Sequence, residues 1–338
     1  MHSAKPSSSR SHPSRTGRWI AGGAVAALLL AGAGAWWLVA GSADAGPLAS
    51  PTSTGSPEGP ALTGVLPDAT EMGAVELAVT DLDATAAYYR DAIGLTVLEE
   101  SDTRVVLGHD TPLIQLDASD GGADDPRTAG LYHSAILFAD APSLAATLQN
   151  IAEKAPQSYQ GSADHAVSLA FYFGDPEGNG VELYVDRPRD EWVWQDGQVV
   201  MGSEALDPNA FIEQNLSGDA TGDAQMGHVH LRVGDVGEAR AFYADVLGFD
   251  VTAESDGAIF YSAGGYHHHL ATNSWQSAGA GPRGDGAGLR ALTIRLPQAS
   301  DLDAVAARLV DADVAHELAD DVLVTADPWG NTIRFITL

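Results

Sequence analysis

Three kinds of hydrophobic pattern follow one another along the chain. The first is an unbroken apolar run of 22 residues, Trp19 to Ala40, long enough for one helix to cross a bilayer. The second is a set of short β-rich stretches. The third is helical: Ala86, Tyr89 and Ile93 recur at three- and four-residue spacing and predict an amphipathic helix over Thr85 to Ile93. Gly94, and later Gly248, supply its C-terminal stop. Further helices are predicted near Ser143 to Glu153 and Leu302 to Val310, each leading to a turn and strand, DPEGNGVELYV or DPWGNTIRFIT. In such a turn proline presets φ, while glycine and asparagine tolerate φ > 0. The order that results is four βαβββ units, two per half, a mixed α+β fold behind a transmembrane helix or signal.

The chain repeats itself. Met72-Gly73-Ala74-Val75-Glu76-Leu77-Ala78-Val79 returns as Met226-Gly227-His228-Val229-His230-Leu231-Arg232-Val233. The stretch Asp81 to Val97 returns as Asp235 to Val251 at the same offset of 154 positions, and Asp175-Pro176-Glu177-Gly178-Asn179 returns as Asp327-Pro328-Trp329-Gly330-Asn331 at an offset of 152. Ordered matches at a nearly constant offset mark a tandem duplication. The predicted organisation is a basic cytoplasmic segment (1–18), an anchor or signal (19–40), a flexible linker (41–68), a first domain (69–187), a connector containing Trp192 and Trp194 (188–223) and a second domain (224–338).

Charge sharpens the reading of the ends. The formal net charge is −29, with 46 Asp and Glu against 17 Lys and Arg. Four of those bases, Lys5, Arg10, Arg15 and Arg18, precede the apolar run, and no acid occurs before Asp44. The positive-inside bias then places the N-terminus in the cytoplasm and the remainder outside. Ser42-Ala43-Asp44-Ala45 also offers a small-x-small cleavage pattern, so membrane-anchored and secreted forms both remain open. Residues Gly46 to Gly64, rich in Pro, Ser, Thr and Gly, make a tether. So acidic a surface repels phosphate backbones and argues against a nucleic-acid partner. With no cysteine in the chain, thiolate nucleophiles and Cys-ligated metals are excluded, which leaves histidines and carboxylates as strong ligands.

The βαβββ unit, the opening H-x-x-L-x-V at His228, D-x-x-x-A-x-x-F-Y at Asp235, L-G-F at Leu247 and the closing D-P-x-G-N turns resemble the vicinal oxygen chelate superfamily, which includes glyoxalase I, extradiol ring-cleaving dioxygenases and antibiotic-resistance proteins. The resemblance covers Met72 to Leu338. Gly130-Leu131-Tyr132-His133, Ala163-Asp164-His165, Glu182-Leu183-Tyr184 with Asp186-Arg187-Pro188, and Gly265-Tyr266-His267-His268-His269 resemble most the two-domain bacterial proteins called catechol 2,3-dioxygenases. The resemblance implies two vicinal oxygen chelate domains, with metal ligands on the first and last strands of units. Those positions are Ala74 and Gln115 in the first unit, His133 and Glu182 in the second, His228 and His269 in the third, and Ala291 and Arg334 in the fourth. Good ligands fall only in units two and three. If these two units face each other, one site holds His133, Glu182, His228 and His269, and the opposite site is dead.

His230 shares a strand face with His228 and is expected to act beside the metal. Strand alternation would put His267 and His269 on one face and His268 on the other, with a one-residue slip nominating His268 instead. His165, His230 and His267 are the candidate acid–base groups, and Tyr172 and Tyr266 candidate pocket residues. Imidazoles with one carboxylate suit Fe(II), Mn(II), Ni(II) or Zn(II); the dioxygenase resemblance favours Fe(II). The expected activity is extradiol cleavage of a catechol-like small molecule. The alternatives are a redox-neutral lyase or isomerase of glyoxalase type, and a non-catalytic small-molecule binder. Ring cleavage requires three open metal positions, so four protein ligands would favour the isomerase.

Overall fold

The computed structural model describes residues 59–60, 62–218, 220 and 222–338. The expected basic segment and membrane-crossing run lie outside the described residues. Among those described, no helix is long and apolar enough to cross a membrane. The end of the predicted linker is not a free tether. The backbone amides of Thr63 and Gly64 donate to Asp250 Oδ1, Val65 N–H donates to Gly248 O, and Leu66 is buried in the core. Burial of Leu66 and these hydrogen bonds to Asp250 and Gly248 dock this stretch where the Pro/Ser/Gly composition alone suggested solvent.

The polypeptide is mixed α+β and mostly sheet. Unit one comprises β1 (Glu71–Val79), α1 (Leu82–Ala87) continuing as a π-helical turn (Tyr88–Ile93), β2 (Thr96–Ser101), β3 (Arg104–Gly108) and β4 (Pro112–Ala118). Unit two follows with β5 (Gly130–Phe138), α2 (Ala141–Lys154), β6 (Tyr159–Asp164), β7 (Ser168–Gly174) and β8 (Gly180–Asp186). The connector carries the hairpin β9 (Trp194–Gln195) and β10 (Gln198–Val199), then β11 (Glu204–Ala205) and α3 (Pro208–Asn215). Unit three is β12 (Ala224–Arg232), α4 (Val236–Arg240) with a second π-helical turn (Ala241–Val246), β13 (Asp250–Ser255), β14 (Ala258–Ser262) and β15 (Leu270–Asn273). Unit four is β16 (Gly288–Leu296), α5 (Ala299–Asp311), β17 (His316–Ala319), β18 (Val322–Ala326) and β19 (Thr332–Thr337).

The four units pair across the repeat. One sheet runs β17-β18-β19-β16-β1-β4-β3-β2, joining unit four to unit one; the other runs β11-β6-β7-β8-β5-β12-β15-β14-β13, joining unit two to unit three. The seams are antiparallel, β1 against β16 and β5 against β12. A single continuous core of Leu, Ile, Val and aromatic side chains holds both sheets and their helices, including Leu77, Ile136, Val229 and Leu292. Each half therefore contributes to both sheets.

Two motifs found by self-comparison bind each other. Tyr89 Oη donates to Asp175 Oδ2 at 3.2 Å, and Tyr243 Oη donates to Asp327 Oδ2 at 2.9 Å. In both turns the aspartate also accepts from two backbone amides and from the asparagine side chain four residues on. Only the glycine of each turn takes the left-handed conformation, Gly178 at φ +87° and Gly330 at φ +82°. Asn179 and Asn331 do not, contrary to the expectation from composition. Their amides are there to satisfy a buried carboxylate that would otherwise be costly. Burial pushes the Asp175 carboxyl up to about 6 although these donors pull it the other way.

Candidate metal centre

The seam between β5 and β12 is where chemistry collects. His133 on β5 sits directly opposite His230 on β12, and His228 opposite Ala135. On the other side of β5 runs β8, in parallel register, with Glu182 beside Ala135 and Gly180 beside His133. One ligand atom from each of His133, Glu182 and His228 lies within 4.8 Å of the others, and all three side chains are buried. His133 Nε2 is 3.1 Å and His228 Nε2 3.2 Å from the same carboxylate oxygen, Glu182 Oε2. Two imidazoles from different repeats thus converge on one carboxylate.

The electrostatics suit a cation. Burial pushes the His133 imidazole down to about 3, against the pull of Glu182. Burial alone would raise the Glu182 carboxyl, but His228 and His133 beside it prevail and keep it ionised. His228 Nε2 donates to the Glu182 carboxylate at 3.2 Å, while the His133 ring is held neutral by its burial. The contact of His133 Nε2 with Glu182 lacks hydrogen-bond alignment, so this buried nitrogen has no hydrogen-bond partner. An orphaned buried nitrogen aimed at a carboxylate calls for an ion between them. Two imidazoles and one carboxylate are a donor set that would suit Fe(II) and its divalent relatives.

His269 is not part of this group. Its Nδ1 accepts from the Ala263 backbone amide at 3.3 Å and lies 3.0 Å from the Ser262 hydroxyl. The reason is register. Glu76 pairs with Gln115 in unit one, and its counterpart His230 pairs with Ala271 in unit three. The fourth ligand position therefore holds Ala271, two residues beyond the one a constant offset of 154 nominates. The histidine triplet also precedes β15, so strand alternation does not govern it. His268 is the member that reaches the site, its ring centre 4.1 Å from that of His228 at a tilt of 48° and edge-on to Phe260 at 5.1 Å.

The other expected groups surround the centre. His230 stands edge-on to His133 at 4.9 Å, with its Nε2 accepting from Asn273 at 3.0 Å. His165 donates from Nδ1 to Gly202 O at 2.7 Å, which leaves Nε2 to accept from the Tyr172 hydroxyl at 2.6 Å. Tyr172 in turn faces His133, ring centres 5.7 Å apart. Burial, then the Glu182 charge, raise the Tyr172 phenol well above its ordinary value. His267 points the other way, to Asp186. Tyr266 bonds Tyr184 at 2.8 Å rather than the centre. Tyr132, Asn273 and the half-exposed Trp275 were not singled out by the sequence. Trp275 rests against Tyr132 and His230, ring centres 5.6 and 5.7 Å away. No spacing rule marks them, because loops and seam register bring them in.

The opposite cup has a different content. Arg334, the counterpart of Glu182, pairs with Glu76 at 2.9 Å, and Gln115 bonds Asp117. Ala74 and Ala291 offer no ligand atoms.

Gly227 gives the centre its shape. It lies at a register shift in the β5–β12 seam, and a Cβ there would fall 1.8 Å from Tyr184 Oη. Such bulges re-aim neighbouring side chains. Gly227→Ala is expected to push Tyr184 off β12, costing about 2 kcal/mol by overpacking and lowering metal content. Urea unfolding and metal analysis of the same preparation check both.

Comparison with known proteins agrees with this architecture. The family model described as Glyoxalase/Bleomycin resistance protein/Dioxygenase superfamily matches residues 71–183 and 225–335, and the chain belongs to this superfamily. A protein of Bacillus subtilis (strain 168) named catechol-2,3-dioxygenase is 37% identical over 281 residues, spanning 79% of this chain and 97% of that protein. A solved structure of a putative dioxygenase from Bacillus subtilis superposes with a TM-score of 0.51 at 11% identity, covering 79% of this chain and 84% of its own. Glyoxalase I from Zea mays superposes with a TM-score of 0.50 at 16% identity, covering 80% and 92% respectively. These two likenesses establish the fold.

Proposed function

We propose that the protein is a metal-dependent extradiol ring-cleaving dioxygenase acting on a catechol-like small molecule. The observation that carries this reading is the count of donors. His133, Glu182 and His228 converge, and Ala271 occupies the place where a fourth ligand would stand. Three protein ligands would leave a bound divalent ion free to take up a small-molecule diol together with dioxygen, which a fourth protein ligand would hinder. The kinship with the Bacillus catechol-2,3-dioxygenase over nearly its whole length supports the same choice. A divalent ion held here, Fe(II) in this reading, supplies the charge that acidifies a bound diol and the redox partner for dioxygen.

The chain's own groups handle substrate and protons. His268, its ring against that of His228, is placed to take a proton from a diol hydroxyl. On the opposite side Tyr172, donating to His165, can accept a hydrogen bond from a second oxygen. His230, Tyr132, Phe260 and Trp275 line an aromatic flank against which a flat ring would lie. The apolar N-terminal run and the four bases that precede it support a protein placed at or beyond the cytoplasmic membrane, tethered or released; fractionation of cells by immunoblot tests that placement.

Oxygen uptake with a panel of catechols, using protein loaded anaerobically with Fe(II), tests the activity. Stoichiometric uptake with ring-opened, coloured products is expected. No uptake, with turnover of a 2-oxoaldehyde adduct under Ni(II) or Zn(II), would replace the reading with the isomerase that the paired units two and three share in architecture with glyoxalase I. Binding of a metal without turnover of either kind would leave a non-catalytic binder.

A further inference from the structure

Behind the side chains that face the metal centre, a second line of groups runs from the surface into the site. Asp186, at the end of β8, is partly exposed, with 23% of its side chain accessible, whereas the side chain of His267 is fully buried. His267 Nε2 lies 2.9 Å from Asp186 Oδ1, and His267 Nδ1 lies 2.8 Å from His268 Nδ1. The His268 ring then lies against that of His228, centres 4.1 Å apart. The His267 ring is clamped between Tyr266 and Trp192, ring centres 4.1 and 5.2 Å away, and its backbone carbonyl accepts from Thr252 Oγ1 at 2.6 Å.

From these contacts we infer that Asp186 acts through His267 as a positioning residue that fixes the tautomer of His268. A carboxylate only accepts hydrogen bonds, so His267 must donate from Nε2. A buried imidazole without a second counter-charge carries one proton, so His267 Nδ1 is a bare lone pair. The short Nδ1–Nδ1 contact then requires His268 to donate from its Nδ1. The other nitrogen of His268, Nε2, is left unprotonated on the ring that lies against the His228 imidazole. A base is thereby made ready by a carboxylate two side chains away that touches neither metal nor substrate. The inference rests on the proposed reading only for what the base then does. The tautomer itself belongs to the metal-free chain.

The test is the tautomeric state of the histidines in the full chain, in detergent and without metal, labelled with 15N at histidine. Two-bond proton–nitrogen correlations distinguish Nδ1–H from Nε2–H rings, and His267→Gln and His268→Gln identify the signals. His316, whose Nδ1 lies 2.9 Å from the Val314 carbonyl, is an internal Nδ1–H standard that also reports an intact fold. The expected result is His267 as Nε2–H and His268 as Nδ1–H. In Asp186→Ala, with His316 unchanged, at least half of His268 is expected to convert to Nε2–H, and kcat for the loaded enzyme to fall with little change in KM. Asp186→Asn keeps a carbonyl acceptor and should retain the original pattern. His268 found as Nε2–H, a doubly protonated His267, or an Asp186→Ala spectrum unchanged at His268 would each overturn the inference. Correct tautomers in a protein that consumes no oxygen would overturn the dioxygenase reading instead.

Discussion

Glu182→Gln is expected to remove metal binding altogether, from one ion per chain to none by elemental analysis, and to lower oxygen uptake by roughly a hundredfold or more, since even supporting residues of metal sites cost 10- to 100-fold. Its response to added metal separates a ligand from a structural ion pair. Glu182 is a buried carboxylate whose charge is held by His228 and His133 beside it. In metal-free protein the glutamine should therefore lower the melting temperature. A purely structural ion pair would give that loss, about 3–5 kcal/mol on removing one partner, and no further difference when metal is added. With metal at a hundredfold excess over its dissociation constant, the original protein should gain about 2.7 kcal/mol and the glutamine variant nothing. Thermal melts with and without Fe(II) or Zn(II) decide it, and equal metal-induced shifts in both proteins would remove Glu182 from the centre.

The same site shows what a single sequence discloses and where it stops. Because the chain is a duplication, each unit served as a template for the others. The complementarity of His133 and Glu182 with His228, against Ala74, Ala291 and Arg334, pointed to a pairing that crosses the repeat, and the sheets show that pairing. Tyr89 and Asp175 were legible as motifs, while their bond was not, since nothing in spacing says that a helix of unit one meets a turn of unit two. The fourth ligand was misplaced for a concrete reason. The segment between β14 and β15 is longer than its counterpart in unit one, so a constant offset landed on His269 when the strand pairing puts Ala271 there. His268 could be named only as a register slip, because a loop rather than a strand aims its ring. Asp186 lay in a segment quoted for its resemblance, but its effect depends on a contact with a residue 81 positions away.

Cutting the chain between the repeats is expected to be the most damaging change that removes no side chain from the site. Expressed as separate polypeptides, residues 59–218 and 222–338 each lose both seams, β1 with β16 and β5 with β12. Open strand edges and the apolar core that spans both sheets would then face water. Each half alone is expected to be largely insoluble or to pair with itself. Self-pairing gives a decisive metal count. In a self-pair that copies the native seams, the first half sets His133 and Glu182 against Ala74 and Gln115, and the second sets His228 against Ala291 and Arg334. Neither such pair assembles two imidazoles and a carboxylate. Mixing the halves, or expressing them together, should restore a 1:1 complex that binds one ion and consumes oxygen, with size-exclusion chromatography and metal analysis as the measurements. One metal ion per copy in either isolated half would show that the centre does not depend on the seam between β5 and β12, and the functional reading built on that seam would fall with it.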